Sequence, residues 1–189
     1  LQLAVEECCH YAMNASENAE IVKNLKNHYH EINEGIGVHK TPALYGAFPT
    51  DPYSHTPQGK GVKQPGMTGQ VKEDILSRFG ELGIWVSDEQ LGFFPQLIKK
   101  SEFLSSPQTF NYIDVHGNSK QIPVEANSLC FTYCQVPIIY HLSDKVKTEI
   151  IFTDFKTQQI SGSVLDKNIS RKIFERKGEI GYVKVHIVL

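Results

Sequence analysis

GIGVHKTPALYGAFPTDPYSHTPQGKGVKQPGMTGQ, from Gly35 to Gln70, follows neither the helical nor the strand period and is crowded with Gly, Pro, His and Tyr. A loop of this length inside a compact domain is uncommon, and it is either functional or disordered. Disordered segments are poor in aromatic residues. This stretch carries Tyr45, Phe48 and Tyr53 among Lys40, Asp51, His55 and Lys63. Rings and hydrogen-bonding groups on irregular backbone suit a polar ligand such as a sugar or a phosphate. The stretch reads as a binding or active-site loop.

Upstream of it the pattern is helical. Leu1 to Met13 places Leu1, Val5, Cys8 and Ala12 on one stripe. Ser16 is an N-cap for a second helix, with Glu17 and Glu20 in its first turn. Val22, Leu25, Tyr29 and Ile32 then follow the 3.6-residue period up to Gly35, a natural stop. Two helices joined by a short break form a hairpin whose apolar face must pack on something else. Downstream, Thr68 caps a third helix with Val71, Ile75 and Phe79 as its buried stripe, ended by Gly80 or Gly83.

From Ile84 the period changes to two. The expected strands are Ile84–Ser87, Gly92–Pro95, Thr109–Val115, Lys120–Glu125, Leu129–Leu142, Lys147–Asp154 and Tyr182–Leu189. Ser87-Asp88, His116-Gly117-Asn118 and Ser143-Asp144 supply turns, and Ser170 to Arg176 reads as a short helix. Seven short strands with such turns predict an antiparallel sandwich. The expected class is therefore α+β: a helical part over 1–83 with the long loop 35–70, then a small antiparallel β-sandwich domain over 84–189. Trp85, at the junction, is expected in the core.

The bulk numbers exclude several functions. With 189 residues and a formal net charge of -2, the chain has no basic excess for nucleic acid and no charge block for a membrane surface. No apolar run approaches the roughly 18 residues of a spanning helix. The chain opens on Leu1 in a helical pattern, so a longer polypeptide is expected to contain it. Cys8, Cys9, Cys130 and Cys134 form no C-x-x-C pair. Cys130 and Cys134 share the parity of one strand face, and buried free thiols are the simpler reading than metal ligands. That favours a reducing compartment and leaves cytoplasmic and periplasmic locations open. His28 and His30 lie on different helix faces, and His39, His116, His141 and His186 read as isolated structural histidines. No metal site is expected.

Two motifs within the loop carry chemistry. Gly66-Met67-Thr68-Gly69-Gln70 opens a helix, where unpaired N–H groups and the positive dipole end receive anions. A plain threonine cap after a glycine turn explains the same residues, and the order of a P-loop is absent. Asp51-Pro52-Tyr53-Ser54-His55 sets a carboxylate and an imidazole four residues apart in a proline-punctuated loop. These suit a substrate clamp or proton-transfer pair, with Tyr53 as a stacking surface; turn chemistry is the alternative. Glu31 and Glu34 share a helix face near the loop, as an exposed face or as paired carboxylates.

The order of parts resembles the C-terminal end of the helical-toroid (six-hairpin) glycoside hydrolases and phosphorylases, in particular the inverting disaccharide phosphorylases such as cellobiose phosphorylase. Thr68-Gly69 stands where that family helps hold phosphate at a late toroid helix. Glu81-Leu82-Gly83-Ile84 and Gln90-Leu91-Gly92-Phe93-Phe94-Pro95 match its hairpin into a small C-terminal sheet. The resemblance covers Leu44 to Phe103. Pro65-Gly66-Met67 replaces the family's usual aromatic, and Gln70-Val71-Lys72 its usual small residues. The resemblance implies an oligosaccharide or disaccharide as partner, cleaved by water or with phosphate as co-substrate, and no cofactor. It implies Thr68 and Gly69 in phosphate or sugar binding, and the loop residues themselves suggest Asp51 and His55 for sugar contact or proton transfer, with Tyr45, Tyr53 and Lys63 in substrate binding. The family's general acid lies upstream, so this chain is expected to lack it and to be inactive alone. A non-catalytic carbohydrate-binding or protein-interaction module is the alternative. An upstream toroid domain or a second copy would cover the helical hairpin.

Overall fold

The computed structural model describes residues 19–37 and 75–189, and the chain divides into two compact units, Leu1–Glu81 and Leu82–Leu189. The class is α+β.

In the first unit, helix α1 (Ala19–Gly37) buries Tyr29, with Val22 and Leu25 half-buried on the same stripe. It continues through Gly35 and ends two residues later on Gly37. A second helical segment, α2, occupies 75–81. The Tyr29 hydroxyl donates to Glu81 Oε1 at 2.5 Å, and Arg78 Nη1 donates to Glu81 Oε2 at 2.7 Å. These contacts settle which face of α2 is covered. Ser77 is buried, one turn before Glu81 on the same side. Two residues are 200° around a helix, so Ile75 and Phe79 lie opposite that side. Ile75 and Leu76 are each 54% exposed, and Phe79 is exposed too. The expectation of a buried Ile75–Phe79 stripe is thus corrected.

The second unit is built on one five-stranded sheet. Its strands are β5 (Ser128–Tyr133), β6 (Val136–Leu142), β7 (Lys147–Phe152), β8 (Thr157–Ser161) and β9 (Ile180–Ile187), in the order β5-β6-β9-β7-β8. Two hairpins precede them: β1 (Ile84–Ser87) with β2 (Gln90–Phe93), and β3 (Gln108–Ile113) with β4 (Ser119–Val124). Helix α3 (Lys167–Phe174) lies between β8 and β9. Pairing in the sheet is antiparallel except for β6 with β9, which is parallel. That pair departs from the expected all-antiparallel pattern. The connection from β6 to β9 contains β7, β8 and α3, long enough for β9 to insert between β6 and β7.

Alternation along the strands gives the sheet two different faces. One carries Leu129, Ile138, Tyr140, Ile150, Val183 and Val185, and it packs against Leu91 and Phe93 of β2 and Ile169 and Ile173 of α3. Phe93 and Phe131 meet the Tyr140 ring edge to face at 6.0 and 5.2 Å. Each large apolar side chain so buried contributes about 1.5–3 kcal/mol. The opposite face is only partly apolar. There Ile122 and Val124 of β4 cover Ile139, with Phe110, Tyr112, Cys130 and Tyr182 around them.

Local chemistry explains the boundaries. Gly83 has a φ of +66°, and a Cβ there would fall 2.1 Å from the Phe94 carbonyl. Asp114 closes the β3–β4 turn by accepting from the N–H groups of His116 and Asn118 at 2.9 and 2.8 Å. Asp166 caps α3 by accepting from the Ile169 N–H at 2.9 Å. The run Leu129–Leu142, expected as one strand, is two. Cys134 and Gln135 turn the chain with φ of 49° and 64°. The turn also separates the thiols, so the one-face expectation is corrected. Cys130 faces the β4 cluster, and Cys134 packs on the core side. Trp85, expected in the core, is 39% exposed.

Candidate functional site

Asp51, His55, Tyr45, Tyr53, Lys63, Thr68 and Gly69 all lie outside the described residues, as do Cys8, Cys9 and His39. The structure instead assembles a polar site that the sequence hid, on the face of the five-stranded sheet opposite the main core.

The site follows from register. In the parallel pair β6–β9, His141 stands beside His186, and their rings meet edge to face with centroids 5.5 Å apart. The antiparallel pair β7–β9 sets Lys147 opposite His186 and Glu149 opposite Lys184. From β5, Ser128 stands opposite His141. Just past β4, Glu125 reaches back to this face. Seven side chains of one polar patch thus come from four strands and one strand exit.

Six of these seven groups are paired by hydrogen bonds. Lys147 Nζ donates to Glu149 Oε1 at 2.6 Å, and Lys184 Nζ donates to Glu125 Oε2 at 2.9 Å. Ser128 Oγ and His141 Nδ1 share a hydrogen bond of 2.9 Å. His186 is 9% exposed. Its Nε2 lies 3.2 Å from Glu149 Oε1 yet makes no hydrogen bond. That same Glu149 oxygen accepts from Lys147.

The electrostatics follow from these contacts. Burial, and then Lys147, hold the His186 imidazole below its ordinary pKa, with Glu149 opposing. Burial, and then Lys184, do the same for His141, with Glu125 and Glu149 opposing. The hydrogen bond from Lys147 lowers Glu149, and that from Lys184 lowers Glu125. Nearby, burial pushes the Cys130 thiol up to about 12.

A serine bonded to a histidine invites a nucleophilic reading, which the geometry rejects. Ser128 is 0% exposed, so no substrate carbonyl reaches its hydroxyl. Among the described residues, no three His, Cys, Asp or Glu side chains are grouped to hold a metal ion. What the arrangement can do is exchange protons, through two adjacent imidazoles in a field of fixed charges. The reading of His141 and His186 as isolated is therefore corrected. Each sits on the expected strand, but nothing in the sequence announces a parallel pairing between segments separated by β7, β8 and α3.

Beside the site, a cleft of about 180 Å³ runs between β3 and β5, with Gln108, Thr109, Phe110 and Cys130 in its walls. Comparison of the sequence with models of known protein families finds no match, and comparison with curated proteins finds none.

Proposed function

We propose that the chain is the C-terminal part of a carbohydrate-active enzyme that cleaves glycosidic bonds: the last helices of an α/α toroid followed by a β-domain of sandwich type. The observation that supports the reading is the exposure of the apolar pair Ile75 and Leu76 on α2. A helix with an apolar side away from its own partner needs a further neighbour, and successive helices of a toroid have neighbours on both sides. The resemblance around Thr68-Gly69 and Gly83 to Pro95 supplies the chemistry. In this reading the loop 35–70 lines the sugar cleft, with Asp51 and His55 in proton transfer and Tyr45 and Tyr53 against the sugar. Lys63, Thr68 and Gly69 hold phosphate or a second sugar, and a carboxylic acid from upstream protonates the leaving oxygen.

The cleft along β3 favours a second reading, in which the β unit is a non-catalytic carbohydrate-binding or protein-interaction module. An aromatic ring beside amide and hydroxyl groups is the composition of a sugar subsite. Calorimetric titration of the chain with phosphate and a panel of disaccharides separates the two. Saturable binding weakened about tenfold or more, ~1.4 kcal/mol, by both Thr68→Ala and Asp51→Ala supports the toroid cleft. Binding that survives both but is lost on Phe110→Ala supports the module, and binding that survives all three overturns both assignments.

A further inference from the structure

We infer that His141 and His186 form a proton-operated switch in the β unit: two imidazoles on adjacent parallel strands, edge to face at 5.5 Å, share one polar face with Lys147, Lys184, Glu149 and Glu125, so that acidification turns a balanced face positive and loosens the sheet. With both histidines neutral, two ammonium groups face two carboxylates in two direct pairs, and the charges cancel. Two imidazolium groups leave the same face with two charges uncompensated.

β5 contributes Ser128 and Cys130, β7 contributes Lys147 and Glu149, and β9 contributes Lys184. The exit of β4 contributes Glu125, and β8 adds only uncharged Gln159 and Ser161, by register with Glu149 and Lys147. Among the described residues the carboxylate in contact with His186 is that of Glu149, which already accepts a hydrogen bond from Lys147. His186 Nε2 is thus buried 3.2 Å from an oxygen that already accepts from Lys147, so a charged ring finds a shared anion there and none of its own.

The sign is fixed by linkage. Both folded histidines are held below the ordinary value of 6.5. The unfolded chain therefore takes up these two protons at a higher pH than the folded chain. The stability they contribute is complete above pH 6.5, and it is lost as pH falls from 6.5 through the folded values. Glu125 and Glu149 titrate below their ordinary 4.5, so they do not blur that window.

The test is an NMR titration of the imidazole Cε1 protons in the full chain, assigned with His141→Gln and His186→Gln. Both midpoints are expected below 6.5. In His141→Gln the His186 midpoint moves up, because a neighbouring positive charge is gone. In Glu149→Gln it moves further down, because the anion in contact with it is gone. The melting temperature of the wild type falls between pH 7.5 and 5.5 by about 3 °C or more, and the double histidine variant loses less than half of that. A His186 midpoint at or above 6.5 overturns the proposal. So does a midpoint indifferent to both neighbours, or an acid loss of melting temperature that persists in the double variant. Should His186→Gln fail to fold, His141→Gln and Glu149→Gln, at half-buried positions, still decide the matter.

Discussion

The Tyr140 hydroxyl donates a 2.5 Å hydrogen bond to the Leu82 carbonyl, 58 residues earlier in the chain, and the tyrosine side chain is fully buried. Burial drives the phenol well above its ordinary pKa, so it stays a donor at any pH at which the fold survives. Tyr140→Phe keeps the ring against Phe93 and Phe131 but leaves the carbonyl without its donor. A loss of about 1–3 kcal/mol is expected. Urea unfolding checks it: the midpoint falls while the slope is unchanged, and a midpoint equal to wild type sinks the idea.

Among the described glycines, Gly83 is the least tolerant of a side chain. Its left-handed backbone alone costs an alanine of order 1 kcal/mol. The added Cβ would also meet the Phe94 carbonyl at 2.1 Å, backbone that cannot rotate away. Gly83→Ala should lower stability by about 3 kcal/mol in total. Thermal melts would show it, and a shift of less than 3 °C would count against the clash.

The attachment of α3 rests on two side chains. Asp166 accepts from the Ile169 N–H as an N-cap, and Ser170 Oγ accepts from the buried Leu91 N–H at 2.9 Å. Asp166→Ala should cost about 1 kcal/mol. Ser170→Ala should cost more, about 1–3 kcal/mol, because it strands a buried donor of β2. Denaturant titrations of the two variants should rank them in that order; the reverse order refutes the assignment.

Cys130 should be inert in the folded chain. Moving a thiol from its ordinary 9.0 to about 12 lowers the thiolate fraction at pH 8 by on the order of 10³. Alkylation at pH 8, read by site-resolved mass spectrometry, should leave Cys130 unmodified natively and modify it in urea. Native modification at a rate near that of the unfolded chain would contradict the burial.

Much of the β unit was legible because its cause is local. Alternation from Ile84 onward marks the strands, and Ile84–Ser87 coincides with β1 end to end. The Asp114 turn and Gly83 announce themselves by residue type, since only certain side chains close such turns or accept such backbone. The break at Cys134-Gln135 was silent, because two residues there adopt left-handed backbone without Gly or Asn to signal it. β8 was silent too, since TQQIS is an edge strand with only alternating half-burial.

Which faces meet was decided elsewhere. Period alone put Ile75 and Phe79 inward, but the Tyr29–Glu81 bond turns that side of α2 outward. The polar site shows the limit most clearly. His141 and His186 each lie at a position that strand alternation identifies. Their adjacency depends on β9 entering between β6 and β7, a choice made by the burial of Val183 and Val185 against the common core. Sequence determines what each strand offers to either face, because side-chain direction is a local property of the backbone. Partner and register belong to the tertiary structure, because they are set by the free energy of packing the whole unit.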